Sequence, residues 1–322
     1  MNPSDLETVA AANVDFIAWG VGVAFVTALV FTALGAFLGR SGDSPTGPRW
    51  GAAVGVGLGY ILGHAAMSEW HSGDRLADAW RDLQTWTRDG GAFPLFAGNG
   101  WDWLPWIAAV ATLTGVLDGG WPAPRWSRWQ NRLLLSVLLM WLVFSPLVEG
   151  QWTAGQGAAW MIGLGVATFA FATVLDIRAE RLGPAMPLVL MVPAIGMAAA
   201  QHFSASSYIF AILSGALAAT TGALWVVSWF SPRMNLARAT IPIYAVVYAG
   251  LAFGGMFYGG LPRTSALALA LAPLASFIDR VGPWRIGRDE DGGLMQGGWK
   301  ASTARVIAML VPIGIAVGVA LV

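Results

Sequence analysis

Long apolar runs alternate along the whole chain with short polar segments that carry arginine. A bilayer core about 30 Å thick takes roughly 20 helical residues to cross, somewhat fewer where neighbouring helices shield the ends. Runs of that kind cover residues 16–38, 51–67, 103–117, 133–148, 157–175, 184–200, 207–227, 239–258, 265–278 and 304–321. Transmembrane β-strands would instead alternate apolar and polar residues over about ten positions, which a stretch such as LLLSVLLMWLVF does not. The pattern predicts an all-α integral membrane protein, a single polytopic domain over residues 1–322 built as a bundle of about ten transmembrane helices. The third and ninth runs are the shortest, and a re-entrant path is the alternative for each.

Between the second and third runs the spacing changes. Leu76, Ala79, Trp80 and Leu83 fall on one helical face, while Asp74, Arg75, Asp78, Arg81 and Asp82 take the other. Residues of about 74–89 are therefore expected as an interfacial amphipathic helix on the extracytoplasmic surface, ended by Gly90 and Gly91, and serving as an anchor or as a lid. The Gly-rich, charged segment from Asp279 to Thr303 reads as a cytoplasmic loop too short for a domain.

Positively charged loops stay in the cytoplasm, so Lys and Arg test this parse independently. With the N-terminus outside, the inner loops collect Arg40, Arg49, Arg125, Arg128, Arg132, Arg178, Arg181, Arg233, Arg238, Arg280, Arg285, Arg288, Lys300 and Arg305. Only Arg75, Arg81, Arg88 and Arg263 fall outside. The asymmetry predicts N- and C-termini both on the extracytoplasmic side. Trp70, Trp101, Trp103, Trp106 and Trp152 would then anchor the outer boundary, and Trp50, Trp121, Trp126, Trp129, Trp225, Trp229 and Trp284 the inner one.

Composition narrows the chemistry. Only 11% of residues are charged, the mean hydropathy is +0.61 and the formal charge is zero, so a water-soluble fold and a nucleic-acid surface are both excluded. Without cysteine there are no disulfides, thiolate metal sites or thiol nucleophiles. Every basic residue except Lys300 is Arg, and Ala, Gly and Trp are abundant. That usage points to a GC-rich bacterial genome and places the chain in the bacterial cytoplasmic (inner) membrane. Met1 to Asp15 holds no Lys or Arg, so the first run is expected to be a retained span.

The predicted span centres hold almost no ionisable side chains, which disfavours ion coupling through a buried carboxylate. The polar groups that converge do so at the outer face: His64, Glu69, His71, Glu149 and His202, with Asp102 at the same level. Imidazole and carboxylate suit metal ligation or acid–base work, yet no HExxH or similar signature is present, and no cofactor or metal is predicted. Small residues recur every fourth position at Gly55, Gly59 and Gly63, at Gly250 and Gly254, at Gly35 and Gly39, and at Gly314 and Gly318, where backbones can approach closely. Pro146, Pro187, Pro193, Pro242, Pro273 and Pro312 are candidate kinks, and the sixth run is the expected site of any break.

Two sets of five spans with opposite orientation suit an inverted-repeat carrier. The first reading is thus a transporter or permease for a small solute or lipid. A non-catalytic subunit of a larger membrane complex, docked through Gly-rich faces, is the second. A membrane enzyme using the outer His and Glu residues is the third. Membrane lipids and other membrane subunits are the expected partners.

Overall fold

The computed structural model describes residues 3–39, 49–72, 103–120, 125–204, 208–231, 235–280 and 298–321. Its α-helices are α1 (Pro3–Gly39), α2 (Arg49–Ser72), α3 (Leu104–Gly120), α4 (Arg125–Gly150), α5 (Ala154–Leu182), α6 (Met186–Phe203), α7 (Tyr208–Phe230), α8 (Ile241–Tyr258), α9 (Arg263–Ala275) and α10 (Gly298–Ala320). No strand occurs among the described residues. Among the described residues, seven segments are long and apolar enough to cross a membrane, one of which, Ala154–Phe203, runs through α5, a short 3-10 turn and α6. Leu104–Gly119 and Arg263–Ile278 are apolar but shorter. The chain is therefore an all-helical, multi-pass membrane protein. The expected interfacial helix at 74–89 and most of the loop after Asp279 lie outside the described residues.

Local chemistry explains several helix ends. Thr153 caps α5 through a reciprocal pair, its hydroxyl accepting from the Gln156 N–H while the Gln156 side chain accepts from the Thr153 N–H. Pro187 and Pro242 sit in the first turns of α6 and α8, where a missing N–H costs nothing, so neither is a kink. Pro146, Pro193, Pro273 and Pro312 do lie inside helices. The sixth helix is nevertheless continuous from Met186 to Phe203 rather than broken.

α8 is the axis of the bundle. It packs against α2, α3, α4, α5, α6, α7 and α9, and 83% of the apolar window in Leu236–Tyr258 is buried, against 22% in Ser302–Ala320 of α10. α1 lies outside α2 and α7, and α10 outside α6 and α9. Hydrogen bonds fix the axis in place. Gln201 on α6 donates to the Leu251 carbonyl (2.9 Å) and accepts from Ser214 on α7 (2.8 Å), and Tyr248 donates to the Leu269 carbonyl on α9 (2.8 Å).

α1 and α2 meet along a seam of small residues. A Cβ on Gly63 would lie 2.7 Å from the Gly20 carbonyl oxygen, one on Gly59 2.7 Å from that of Ala24, and one on Gly55 2.8 Å from that of Ala28. Four-residue spacing on both helices keeps the two backbones in register over more than two turns. Gly314 and Gly318 on α10 carry the same motif, but among the described residues no heavy atom of another element lies within 4 Å of such a Cβ.

Candidate functional site

The helices around α8 leave a lateral groove between α5 and α9. Its cavity is about 370 Å³, within the size range of small-ligand sites. Trp160, Leu164, Ala167, Ala170, Phe171 and Val174 form the α5 wall, Leu267, Ala270, Leu271 and Leu274 the α9 wall, and Tyr248, Phe253 and Met256 on α8 the floor. Two wall residues carry hydroxyls, and both are already used. Tyr248 donates to Leu269 and Thr168 to the Leu164 carbonyl (2.8 Å), so what they offer a ligand is hydrocarbon. Tyr248 also stacks on Phe171, with ring centroids 5.7 Å apart, which stiffens the floor.

One end of the groove is aromatic and charged. Trp152 stacks on Phe144 (5.6 Å) and Trp160 (6.4 Å), and Phe257 meets Phe144, Trp152 and Trp160 edge-on at 5.1, 5.3 and 5.4 Å. The sequence had suggested Trp152 as an interfacial anchor, and in the fold it is half-buried within this cluster. The Arg263 guanidinium lies 5.9 Å from the Trp160 ring, within cation–π range, and lines the groove mouth.

The opposite end of the bundle gathers charge. Asp176 on α5 accepts from Arg132 on α4 at 2.6 Å, with Arg128 and Arg238 each at 3.6 Å. Glu180, one turn further along α5, pairs with Arg238 and lies 3.7 Å from Arg128. Asn131 donates to Asp118 at the end of α3, Asn235 donates to the Ala179 carbonyl at 2.7 Å, and Arg178 donates to the Ser276 carbonyl with its guanidinium over the Phe277 ring. These bonds tie together the end of α3, the start of α4, the ends of α5 and α9, and the entry to α8. A cavity of about 270 Å³ opens beside the cluster, lined by Arg128, Trp129, Arg132, Thr173, Asp176, Ile177 and Glu180.

In the apolar pattern these arginines read as loop charges, and the fifth span ends at residue 175. α5 in fact continues to Leu182 and brings Asp176 and Glu180 into the bundle. The legible signal was spacing, since Arg128 and Arg132 on α4, like Asp176 and Glu180 on α5, are four apart and share a helical face.

The predicted His and Glu residues fall toward the helix ends opposite this charged cluster. His64 is half-buried in α2, and His202 is exposed near the end of α6, its ring 5.4 Å from that of Phe203 and 6.3 Å from that of Tyr208. Glu69 and His71 lie in the last turns of α2 and Glu149 near the end of α4, and these three side chains lie outside the described residues, as does Asp102. Among the described residues, no three His, Asp or Glu side chains are arranged to hold a metal ion. Compared with known proteins, the chain matches no family model, no curated protein and no solved structure.

Proposed function

We propose that this protein is a membrane transporter or permease whose substrate, a lipid or small apolar solute, enters sideways from the bilayer through the groove between α5 and α9. The observation that carries this reading is the groove itself: it reaches the central helix, its lining is almost wholly apolar, and the hydroxyls in its wall are already bonded. A water-soluble substrate would find nothing there to replace its hydration. Asp176 is committed to three arginines, which suits a structural tie rather than a proton carrier. The reading does not lean on an inverted repeat, because α8 is enclosed by the bundle whereas its counterpart α3 sits in the surrounding ring.

Purified protein in vesicles containing a fluorescent lipid tests it. Wild type is expected to speed movement of the lipid between leaflets, and Ala170→Trp and Ala270→Trp, which fill the groove from exposed positions on its two walls, to slow it with little loss of stability. Wild-type vesicles no faster than protein-free ones would overturn the transport reading.

In the proposed topology the helices cross ten times in a bacterial cytoplasmic membrane, with both termini outside. The chain has no cysteine, so each introduced thiol is a unique reporter. Arg181→Cys is expected to react with a membrane-impermeant maleimide only after permeabilisation, and Thr264→Cys in intact cells. The reverse pattern would invert the orientation.

A second reading, a subunit of a larger membrane complex, is supported by the open Gly314 and Gly318 face of α10, a packing motif with no partner among the described residues. Mild-detergent extraction and native-gel migration separate the two. Co-migration with a defined set of membrane proteins favours the complex, and migration alone favours the transporter.

A further inference from the structure

We infer that the groove is a site for an anionic acyl lipid, with the chain lying between α5 and α9 and the negatively charged head group held at Arg263. This rests on the groove being the substrate path proposed above, and it names the class of substrate. From Trp160 to Val174 the α5 wall runs about 21 Å at 1.5 Å per residue, more than the roughly 15 Å of one leaflet, so it accommodates an acyl chain lengthwise. The wall presents hydrocarbon and aromatic rings throughout, which selects for a chain and carries no preference for a head group.

Head-group preference enters at the mouth. Arg263 is exposed there and, among the described residues, forms no ion pair with an acidic side chain, whereas Arg128, Arg132 and Arg238 at the other end all face Asp176 or Glu180. A guanidinium stays charged at any physiological pH and presents a planar donor fork that suits phosphate or carboxylate oxygens. Trp160 faces the guanidinium from one side, its ring centroid 5.9 Å away. The neighbouring Trp152 and Trp160 indoles are of the kind that settle at head-group depth, which suits a charge placed near a lipid phosphate. An ethanolamine or choline group would bring a second positive charge to the same place, so a net-negative head group is preferred over a zwitterionic one.

The test uses the full chain in phosphatidylcholine vesicles carrying a trace of phosphatidylglycerol with a photoactivatable group on its acyl chain, followed by peptide mapping. Labelling is expected on the groove walls, around Phe171, Leu267 and Leu271, and is expected to be competed by unlabelled phosphatidylglycerol but not by extra phosphatidylcholine. Arg263→Gln should weaken the competition about fivefold, the share of one basic side chain near an anionic head group, and Arg263→Lys should retain most of it. Equal competition by both lipids, or an Arg263→Gln protein that competes like wild type, would overturn the inference. Charge-selective labelling without lipid translocation would keep the site and sink the transport reading. Translocation without charge selectivity would keep transport and sink the site.

Discussion

Asp176→Ala is expected to destabilise the bundle by about 3 kcal/mol, the lower end of what breaking a buried ion pair costs, because the Asp176 side chain keeps 11% of its exposure. The loss comes less from the bond removed than from what remains. Arg132 is only 5% exposed and has its guanidinium 2.6 Å from the carboxylate, while Arg128 and Arg238 converge on the same group. Without Asp176, three positive charges face one another with only Glu180 between them. Asp176→Asn preserves shape and some hydrogen bonding and should cost less, and pairing Asp176→Ala with Arg132→Met should recover much of the loss by removing the stranded charge. Thermal unfolding of detergent-purified protein reads all three. A melting midpoint for Asp176→Ala equal to that of wild type would mean that the cluster is solvated and structurally idle.

The seam between α1 and α2 predicts the other large effect. Gly59→Leu places its first carbon 2.7 Å from the Ala24 carbonyl oxygen, 3.0 Å from Thr220 on α7 and 3.2 Å from the Ala28 side chain. Backbone cannot yield as the tip of a flexible side chain does, so α1 must move away and lose contact along Gly55 and Gly63 as well. Overpacking of this kind costs about 1–3 kcal/mol where side chains can repack, and more is expected here because the obstacle is main chain. The matched control is Gly318→Leu, whose added Cβ meets nothing within 4 Å among the described residues. Gly59→Leu should fail to accumulate as folded protein in the membrane while Gly318→Leu accumulates normally. If Gly318→Leu instead changed migration on a native gel, α10 would be an interface with another chain, and the complex-subunit reading would gain accordingly.

The seam also shows what sequence could and could not say about packing. Gly55, Gly59 and Gly63 stood out as a motif, and so did Gly314 and Gly318, with nothing in either pattern to tell which was used. In the fold the first is closed by α1, and the second meets no partner among the described residues. The proline readings divide likewise. Pro193 and Pro273 are inside helices as the runs implied, while Pro187 and Pro242 turned out to begin helices, a distinction set by where the preceding chain turns. At the candidate site the His and Glu residues drew attention by residue type, yet the groove lining is almost wholly apolar apart from Arg263, which stood out in the sequence only as one of four basic residues assigned to the outer side. The Asp176 cluster was legible in its four-residue spacings and was missed because the fifth helix was ended too early.

The apolar runs alone show that the chain is helical and lives in a membrane, and where its apolar helices lie, because hydrocarbon of fixed thickness demands apolar runs of fixed length with every backbone hydrogen bond closed inside the helix. That α8 is the axis, that α5 and α9 part to form a groove, and that three arginines from two segments meet on Asp176 emerges only on folding. The reason is that lipid is as apolar as a protein core. A helix such as IPIYAVVYAGLAFGGMFY reads the same whether its faces meet lipid or protein, so the hydrophobic period that reveals the inside of a soluble protein is silent here.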